Sequence, residues 1–468
     1  KQNMSFLSPE FAFFALIFFP IYWSLNNQKK FQTIFLTAVN FFIYFCFSKI
    51  FALILLLFCI YIWVMGRWIA STSLNRKKVL WFTIGLMVLI LVLIFFKYFE
   101  LIRQTSLSIL NFLGLNVFLP ALDIVAPAGI SFFTFQAITY LTWRYREPDE
   151  DVTVIDATLY LSFWPTLFAG PIFRAKDFFK QLSGPEVGSP IEVSKAIYFI
   201  LLGLLQKLVF ANWLENTFVD NVFEYPDAQN LVSVFSAVLG YSLQIFLDFS
   251  GYTLIVTGLG FLLGYKLPIN FMQPYLAINL QDFWRRWHIS LSTFIRDYIY
   301  IPLGGNRKGF AREQTNLLVA MVISGLWHGA SYTFILWGFL HGMGAVFLNA
   351  FHKFSSIKVP TIISRIFTLG FVGFAWIYFR SASVENAHLL IGSAFNLKFS
   401  IGLSFASLII FTCLFFVGSV YAQKIQDYFI ALIGGLNTFV LTFAIFVFSF
   451  LLILFGPSGV PNFIYYRF

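Results

Sequence analysis

Apolar runs of about twenty residues follow one another along almost the whole chain, and this repetition limits its possible folds more than any other feature. A helix that crosses a bilayer needs roughly 20 mostly apolar residues. The first run, Phe11–Leu25, has no small-residue cleavage site and is interpreted as a retained helix, not a signal peptide. Thirteen candidate spans result: 7–25, 31–48, 50–70, 79–99, 127–145, 155–176, 192–214, 231–263, 316–330, 332–352, 361–380, 401–422 and 436–456. The predicted fold is therefore all-α and integral to the membrane.

Charged residues are too scarce for a protein that dissolves in water. Of the 468 residues, 59% are hydrophobic and 11% are charged, whereas soluble domains are about half apolar and a quarter charged. The 31 basic residues outnumber the 21 acidic ones, and many lie in short loops such as 29–30 and 76–78. Because basic loops stay in the cytoplasm, the first and third loops are predicted inside and the N-terminus outside. Membrane lipids are the expected partners, and nucleic acid is not.

Nothing in the sequence indicates a metal or a tightly bound cofactor. Cys46, Cys59 and Cys413 each lie within an apolar run, which is typical of side-chain packing. No cluster of histidine, cysteine and carboxylate residues has the spacing of metal ligands. Neither a glycine-rich phosphate loop nor a Gly-x-Ser-x-Gly nucleophile turn is present.

Two segments depart from the pattern of simple helical hairpins. Residues 99–126 mix charges with apolar residues, which favours an interfacial helix. Residues 265–313 are rich in aromatic side chains and also in charged ones. Irregular backbone at membrane depth is tolerated only where protein or a water-filled cavity surrounds it. The second segment is therefore predicted to form short re-entrant and interfacial helices that line a cavity.

Two of the five histidines are candidates for chemistry. His328 lies in the run Ser324-Gly-Leu-Trp-His-Gly-Ala330, which is embedded in an apolar stretch. An ionisable residue at membrane depth is costly and marks a functional path, although a neighbouring carbonyl could equally satisfy the ring. An imidazole can accept and return a proton near neutral pH, as a general base must. His288 lies in the polar segment, where it is either functional or an interfacial residue facing lipid headgroups.

The remaining three histidines are interpreted as ordinary helix-end residues: His341, His352 and His388.

The chain ends in an aromatic tail with one charge, Pro457-Ser-Gly-Val-Pro-Asn-Phe-Ile-Tyr-Tyr-Arg-Phe468. Pro457 and Pro461 end the last helix. The tail is either an anchor in the aromatic belt of the membrane or a segment that docks in a groove.

Several motifs together resemble the membrane-bound O-acyltransferase family. The run Asp282-Phe-Trp-Arg-Arg-Trp-His-Ile-Ser-Leu-Ser292 followed by Ser324-Gly-Leu-Trp-His-Gly329 carries most of the likeness. Three further runs resemble the bacterial branch of the family, which includes alginate, peptidoglycan and teichoic acid acyltransferases: residues 127–136, 169–174 and 246–251. The likeness extends from about residue 4 to the end.

The resemblance implies a fold and a set of functional residues. The fold is a ring of about 11–13 transmembrane and re-entrant helices around a central funnel and tunnel. His328 corresponds to the principal catalytic histidine and His288 to the second one. The neighbouring side chains that would contact substrates are Ser324, Trp327, Asp282, Trp284, Arg285 and Arg286. The two arginines could hold coenzyme A phosphates or lipid headgroups.

The tail resembles the C-terminal motif of DltX, the small single-span partner of the teichoic acid D-alanyltransferase. The motif positions are Phe463, Tyr465 and Phe468, with Tyr465 as a transient acyl carrier and the two phenylalanines as its flanking contacts. An apolar helix at 436–456 precedes the motif, so partner and transferase look fused, as in the AlgI and PatA types. The predicted division is a core at 1–435 and an added helix with its tail at 436–468.

The resemblance implies an O-acetyltransferase of the bacterial cytoplasmic (inner) membrane. Acetyl-coenzyme A would be the cytosolic donor, and a separate extracytoplasmic transferase of the SGNH type would collect the acetyl group. The acceptor is expected to be a cell-envelope polysaccharide, with peptidoglycan favoured and alginate next. The alternatives are D-alanyl transfer, direct transfer to a hydroxyl without Tyr465, a non-enzymatic transporter or flippase, and a scaffold for an envelope complex. Thioester turnover separates the enzymes from the last two.

Overall fold

A computed structural model describes residues 9–182, 190–397 and 402–457. These residues form helices joined by loops, and none of them forms a strand. The chain divides into two compact units, one of Lys1–Ala196 with Val256–Pro268 and one of Ile197–Ile255 with Ile269–Phe468.

The first unit contains the N-terminal helices. Their bounds are α1 Pro9–Ser24, α2 Lys29–Phe47, α3 Lys49–Ser71, α4 Asn75–Phe112, α5 Ile130–Arg146, α6 Val154–Ser162, α7 Trp164–Leu167 and α8 Ala175–Leu182. The helix expected at 99–126 is present only as far as Phe112, where it continues α4 through a π-helical turn at Ile94–Tyr98, and residues 115–126 form no helix. The predicted span 155–176 is also wrong, because α6 ends at Ser162 and α7 is a single turn.

Helix α5 is the centre of the first unit and buries nearly every residue between Ile130 and Arg144. Its polar side chains are hydrogen-bonded to neighbouring elements: Gln136 donates to the Thr166 hydroxyl (2.8 Å), and Thr139 lies 2.7 Å from the Tyr160 hydroxyl. Gly129 begins the helix at φ +78°, and a Cβ there would lie 2.2 Å from a backbone oxygen of Leu167. The motif at 127–136 therefore builds the interior of this unit.

The second unit contains most of the remaining helices. Their bounds are α9 Glu192–Glu224, α10 Leu231–Leu262, α11 Leu280–Arg286, α12 Ile289–Ile295, α13 Phe310–His328, α14 Tyr332–Phe354, α15 Thr361–Arg380, α16 Val384–Ser393, α17 Leu403–Val420, α18 Ala422–Gly435 and α19 Thr438–Phe455. The first residues of α9 and the last turns of α10 belong to the first unit. Short helices α11 and α12 confirm the prediction that 265–313 is not a simple span.

Helices α13 and α14 form a close hairpin because glycines meet at their contact. A Cβ on Gly325 would lie 2.2 Å from the Phe334 carbonyl oxygen, and one on Gly338 would lie 2.5 Å from the Met321 carbonyl oxygen. Gly338 and Gly342 are four residues apart, the small-xxx-small spacing that lets membrane helices approach closely. The hairpin places His328, the last residue of α13, beside α14.

Nine helices among the described residues are long and apolar enough to cross a membrane. They are Lys29–Phe47, Lys49–Ser71, Asn75–Phe112, Glu192–Glu224, Leu231–Leu262, Tyr332–Phe354, Thr361–Arg380, Leu403–Val420 and Thr438–Phe455. The chain is thus an all-α, multi-pass membrane protein, as predicted. Helix α1 is shorter, with 16 residues, and α5 has 17.

The last helix, α19, confirms the apolar segment predicted at 436–456. It has a mean hydropathy of 2.7 and no buried residue. Its exposed apolar side chains are therefore suited to contact with lipid. It contacts the π-helical turn Leu205–Ala211 of α9. The boundary at residue 436 stays a prediction, and Phe463, Tyr465 and Phe468 lie outside the described residues.

Candidate active site

His288 occupies a strained turn between α11 and α12. Its φ is +40°, and Gln273 is the only other non-glycine residue of the described chain with a positive φ. Such a conformation costs about 1–3 kcal/mol and persists only where the surroundings impose it. Buried Asn270 does so here, because its carbonyl accepts from the Ile289 amide (2.9 Å) and its side-chain oxygen accepts from the Ser290 amide (3.2 Å).

The His288 ring is fully buried, with 0% exposure. The interpretation of this residue as an interfacial histidine facing headgroups is therefore wrong. Its ring centroid lies 4.7 Å from that of Phe249 and 5.9 Å from that of Trp327. Burial lowers the pKa of His288 to about 3, so the imidazole is neutral near pH 7. Neither ring nitrogen has a hydrogen-bond partner among the described residues.

His328 is surrounded by aromatic rings and is 4% exposed. The ring centroids of Trp327, Trp337 and Phe379 each lie 5.0 Å from that of His328. Ser324, one helical turn earlier, is 2% exposed. The side chain therefore lies in an aromatic environment inside the second unit.

Trp327 joins the two predicted histidines, which are 40 residues apart in the sequence. Its indole contacts both rings, His288 at 5.9 Å and His328 at 5.0 Å between centroids. The structure thus brings the two sequence motifs together in one cluster. Aromatic walls exclude bulk water, and this strengthens electrostatic interactions inside such a site.

Two charged residues of the motif at 282–292 hold their own turn together. The Arg286 guanidinium donates to the Asp282 carboxylate (2.8 Å), which also accepts from the Ile278 amide (3.1 Å). Both contacts fix the turn that leads into α11. The Arg285 side chain is exposed. Among the predicted substrate contacts at 282–286, Trp284 is the one whose ring contacts Trp337, at 5.8 Å between centroids. Trp337 in turn contacts His328, so Trp284 adjoins the cluster of His288, Trp327 and His328.

His341 was missed by the sequence interpretation, which placed it near a helix end. It lies in the middle of α14 and is 0% exposed. Its ring centroid lies 4.8 Å from that of Trp337, which follows from their four-residue spacing on one helix face. That Trp-x-x-x-His spacing, next to Gly338 and Gly342, was the available signal.

A buried ion pair was also missed. The Lys207 ammonium donates a hydrogen bond to the Asp248 carboxylate, and their side chains are 1% and 9% exposed. Both residues lie in candidate membrane spans, α9 and α10. The helices approach closely because a Cβ on Gly203 would lie 2.5 Å from the Gly251 carbonyl oxygen. Asp248 belongs to the motif at 246–251 and precedes Phe249, which contacts His288.

Two further observations concern ligands. Among the described residues, no group of three or more His, Cys, Asp and Glu side chains could hold a metal ion. A cavity of about 690 Å³ lies beside α16, with Asp227, Glu385 and His388 in its wall. Its lining includes none of the predicted site residues.

Comparison with known proteins identifies the family. The protein-family model described as MBOAT, membrane-bound O-acyltransferase family, matches residues 80–385, which is more than half of the chain. A peptidoglycan O-acetyltransferase of Helicobacter pylori is 35% identical over 353 residues, which are 68% of this chain and 65% of that protein. The chain thus matches just under two thirds of that relative's length.

Two other relatives have different printed activities. A probable alginate O-acetylase AlgI of Pseudomonas putida is 30% identical over 387 residues, 82% of this chain and 79% of that protein. A teichoic acid D-alanyltransferase of Bacillus subtilis is 26% identical over 287 residues, 58% of this chain and 72% of that protein. With its histidine motifs inside the matched region, the chain belongs to the membrane-bound O-acyltransferase family.

Proposed function

We propose that this protein is a transmembrane O-acetyltransferase of the bacterial cytoplasmic membrane. It takes acetyl from cytosolic acetyl-coenzyme A and delivers it to the outer face for O-acetylation of an envelope polysaccharide. The observation that carries the proposal is the convergence of the two histidine motifs on Trp327 inside a membrane protein. The relatives acting on peptidoglycan and alginate support those two acceptors, in that order.

His328 is the general base in this proposal. A phenol in water has a pKa of about 10, so the hydroxyl of Tyr465 needs help to attack a thioester. The His328 imidazole takes the phenol proton as the oxygen attacks the acetyl carbonyl carbon. The tetrahedral intermediate then collapses, the carbon–sulfur bond breaks, and the coenzyme A thiolate receives that proton from His328. The products are acetyl-tyrosine and coenzyme A.

His288 stabilises the oxyanion of the tetrahedral intermediate. Its neutral ring offers one N–H donor, and no described residue accepts from it, which leaves that donor for a ligand. The Asn270 hydrogen bonds hold the turn in place before reaction, as a preorganised donor requires. Ser324 and Trp327 shape the same site on the His328 side. Removing one such donor typically lowers kcat by about 10²–10³-fold.

Arg285 binds a phosphate in this proposal, which its exposure at the end of α11 supports. The phosphate belongs either to coenzyme A or to a lipid headgroup. Arg286 is instead engaged by Asp282 and Trp284 reaches the histidine cluster, so these three residues support the site from its edge.

The tail delivers the product in this proposal. Tyr465 carries the acetyl group, Phe463 and Phe468 anchor the tail on the outer side, and a separate transferase of the SGNH type collects the group. Basic loops at 29–30 and 76–78 support a cytoplasmic position for the first and third loops, with the N-terminus outside.

The test is acetyl transfer by the purified full chain in liposomes supplied with labelled acetyl-coenzyme A. We expect label on the protein, and mass spectrometry should place it on Tyr465. Tyr465→Phe keeps the ring but removes the nucleophilic oxygen, so label should disappear. Tyr466→Phe is the matched control and should label normally. Full polysaccharide acetylation by Tyr465→Phe, or label on Tyr466 alone, would contradict the carrier role.

D-alanyl transfer is the second candidate, because a teichoic acid D-alanyltransferase is among the relatives. The same liposomes supplied with a D-alanyl thioester separate the two activities. Faster loss of the D-alanyl thioester than of acetyl-coenzyme A would favour this candidate. Turnover of neither thioester would favour a transporter or scaffold.

A further inference from the structure

His341 lies among aromatic rings in a group of side chains that has more buried polar atoms than a core position needs. We define the His341 box as His341, Trp284 and Trp337. The His341 ring centroid is 5.1 Å from Trp284 and 4.8 Å from Trp337, and the imidazole stacks on Phe283 at 6.3 Å. The histidine is 0% exposed and Trp337 is 1% exposed.

Four polar atoms of the His341 box are buried and have no hydrogen-bond partner among the described residues. They are Nδ1 and Nε2 of His341, Nε1 of Trp284 and Nε1 of Trp337. A buried polar atom left unpaired costs about 1–3 kcal/mol, so native proteins pair such atoms with protein, water or ligand. Four of them in three touching side chains indicate that water or a ligand group pairs with atoms of this box.

The donor inventory defines that partner. An indole N–H is only a donor, and a neutral imidazole supplies one donor and one acceptor. The box therefore presents three donors and one acceptor, and the two nitrogens of the imidazole point in different directions. An oxygen atom with lone pairs can accept from the indole N–H groups and from the imidazole N–H, whether it belongs to a water molecule or to the carbonyl of an acyl group.

The box adjoins the predicted base. Trp337 contacts both histidines, with its ring centroid 4.8 Å from His341 and 5.0 Å from His328. Gly342, next to His341, lies against α13, since a Cβ on it would be 2.7 Å from Leu318. An oxygen atom held in the box therefore lies next to the same indole that packs against His328.

We propose that His341 is a positioning residue of the acyl-transfer site. Together with the two indoles it holds an oxygen atom that accepts hydrogen bonds, next to the Trp337 ring that packs against His328. This inference rests on the proposed function. If the oxygen is water, the box holds a water molecule that fixes Trp337 against His328. If it is the acyl carbonyl oxygen, the box binds the thioester and takes the oxyanion role that the proposed function gives to His288.

The test compares His341→Phe with His341→Gln in the liposome assay. Phenylalanine keeps a stacking ring and removes both nitrogens, whereas glutamine restores a donor and an acceptor. We expect His341→Phe to lower kcat about 10–100-fold without lowering the Tm, since an apolar ring removes unpaired polar atoms. His341→Gln should recover a large part of the activity, which a purely structural role would not predict. Trp284→Phe, which removes one indole N–H, should show a smaller fall of the same kind.

The solvent deuterium isotope effect on kcat distinguishes the two oxygen sources. A changed isotope effect in His341→Phe with an unchanged KM for acetyl-coenzyme A indicates water, and a raised KM with an unchanged isotope effect indicates the acyl carbonyl. Full activity of His341→Phe beside an active wild type overturns this inference and leaves the proposed function standing. Equal inactivity of His341→Phe and His341→Gln, each with a normal Tm, also overturns it. A wild type that turns over no acetyl-coenzyme A overturns the proposed function and this inference together.

Discussion

The Lys207–Asp248 pair and the histidine cluster both bury polar groups in the second unit, but their hydrogen bonding differs. Lys207 and Asp248 bind each other directly within two adjacent helices. His288 and His341 instead keep both ring nitrogens without a partner among the described residues. A buried charge pair whose members bind each other needs no further partner, whereas ring nitrogens without a partner require water or substrate. Hydrogen bonding therefore distinguishes a structural ion pair from candidate catalytic side chains, although both are polar residues within apolar sequence.

The largest expected effect is on stability at the ion pair. Lys207→Met removes the ammonium that binds the buried Asp248 carboxylate, so we expect a loss of about 3–5 kcal/mol in the free energy of unfolding. The double variant Lys207→Met/Asp248→Leu removes both charges and should return close to wild-type stability. Thermal unfolding in detergent measures both. A double variant as unstable as the single one would break the comparison, and a stable but inactive double variant would move the pair to the functional side.

The second effect is on turnover at His288. Asparagine tolerates positive φ better than most residues, so His288→Asn should keep the turn while removing the imidazole. We expect acetyl transfer to fall about 10²–10³-fold with little change in Tm. His352→Asn, at an exposed position on α14, is the control and should behave as wild type. Normal turnover in His288→Asn would reduce this histidine to a buried structural residue.

The smallest effect is expected at Asp282. Its ion pair with Arg286 is partly exposed, with side chains 20% and 33% accessible, and such pairs contribute about 0.2–1 kcal/mol. Asp282→Asn should therefore lower the Tm slightly and leave most of the acetyl transfer. Arg285→Gln is the companion variant and should not change the Tm. A loss of turnover in Asp282→Asn as large as that in His288→Asn would show that the carboxylate acts in the chemistry.

The sequence was sufficient for the features that depend on local pattern. Apolar run lengths predicted the helices of a multi-pass membrane protein, and the motif around His328 predicted a buried histidine. The break between α6 and α7 was foreseeable from Pro165 at the second position of α7. The apolarity of the run 155–176 continues across the break and does not indicate it.

Other features depend on contacts between distant residues and could not be read from the pattern. Lys207 and Asp248 are 41 residues apart, and their pairing requires α9 and α10 to lie side by side. The positive φ of His288 is imposed by Asn270, which is 18 positions earlier, so no local signal marks it. His341 is different, because the predicted span 332–352 nearly equals α14, so its position in the middle of the helix was readable from the sequence.

The central claim is that acyl transfer passes through His328, and His328→Gln tests it most directly. Glutamine keeps polar bulk among the rings of Trp327, Trp337 and Phe379, which alanine would leave partly unsupported. The measurement is release of coenzyme A from acetyl-coenzyme A by the purified variant in liposomes, with Tm as the folding check. His388→Gln, exposed beside the cavity at α16, is the matched control. We predict a fall of about 10²–10⁴-fold in His328→Gln with a Tm close to wild type. A folded variant that turns over acetyl-coenzyme A at the rate of the control would contradict the account.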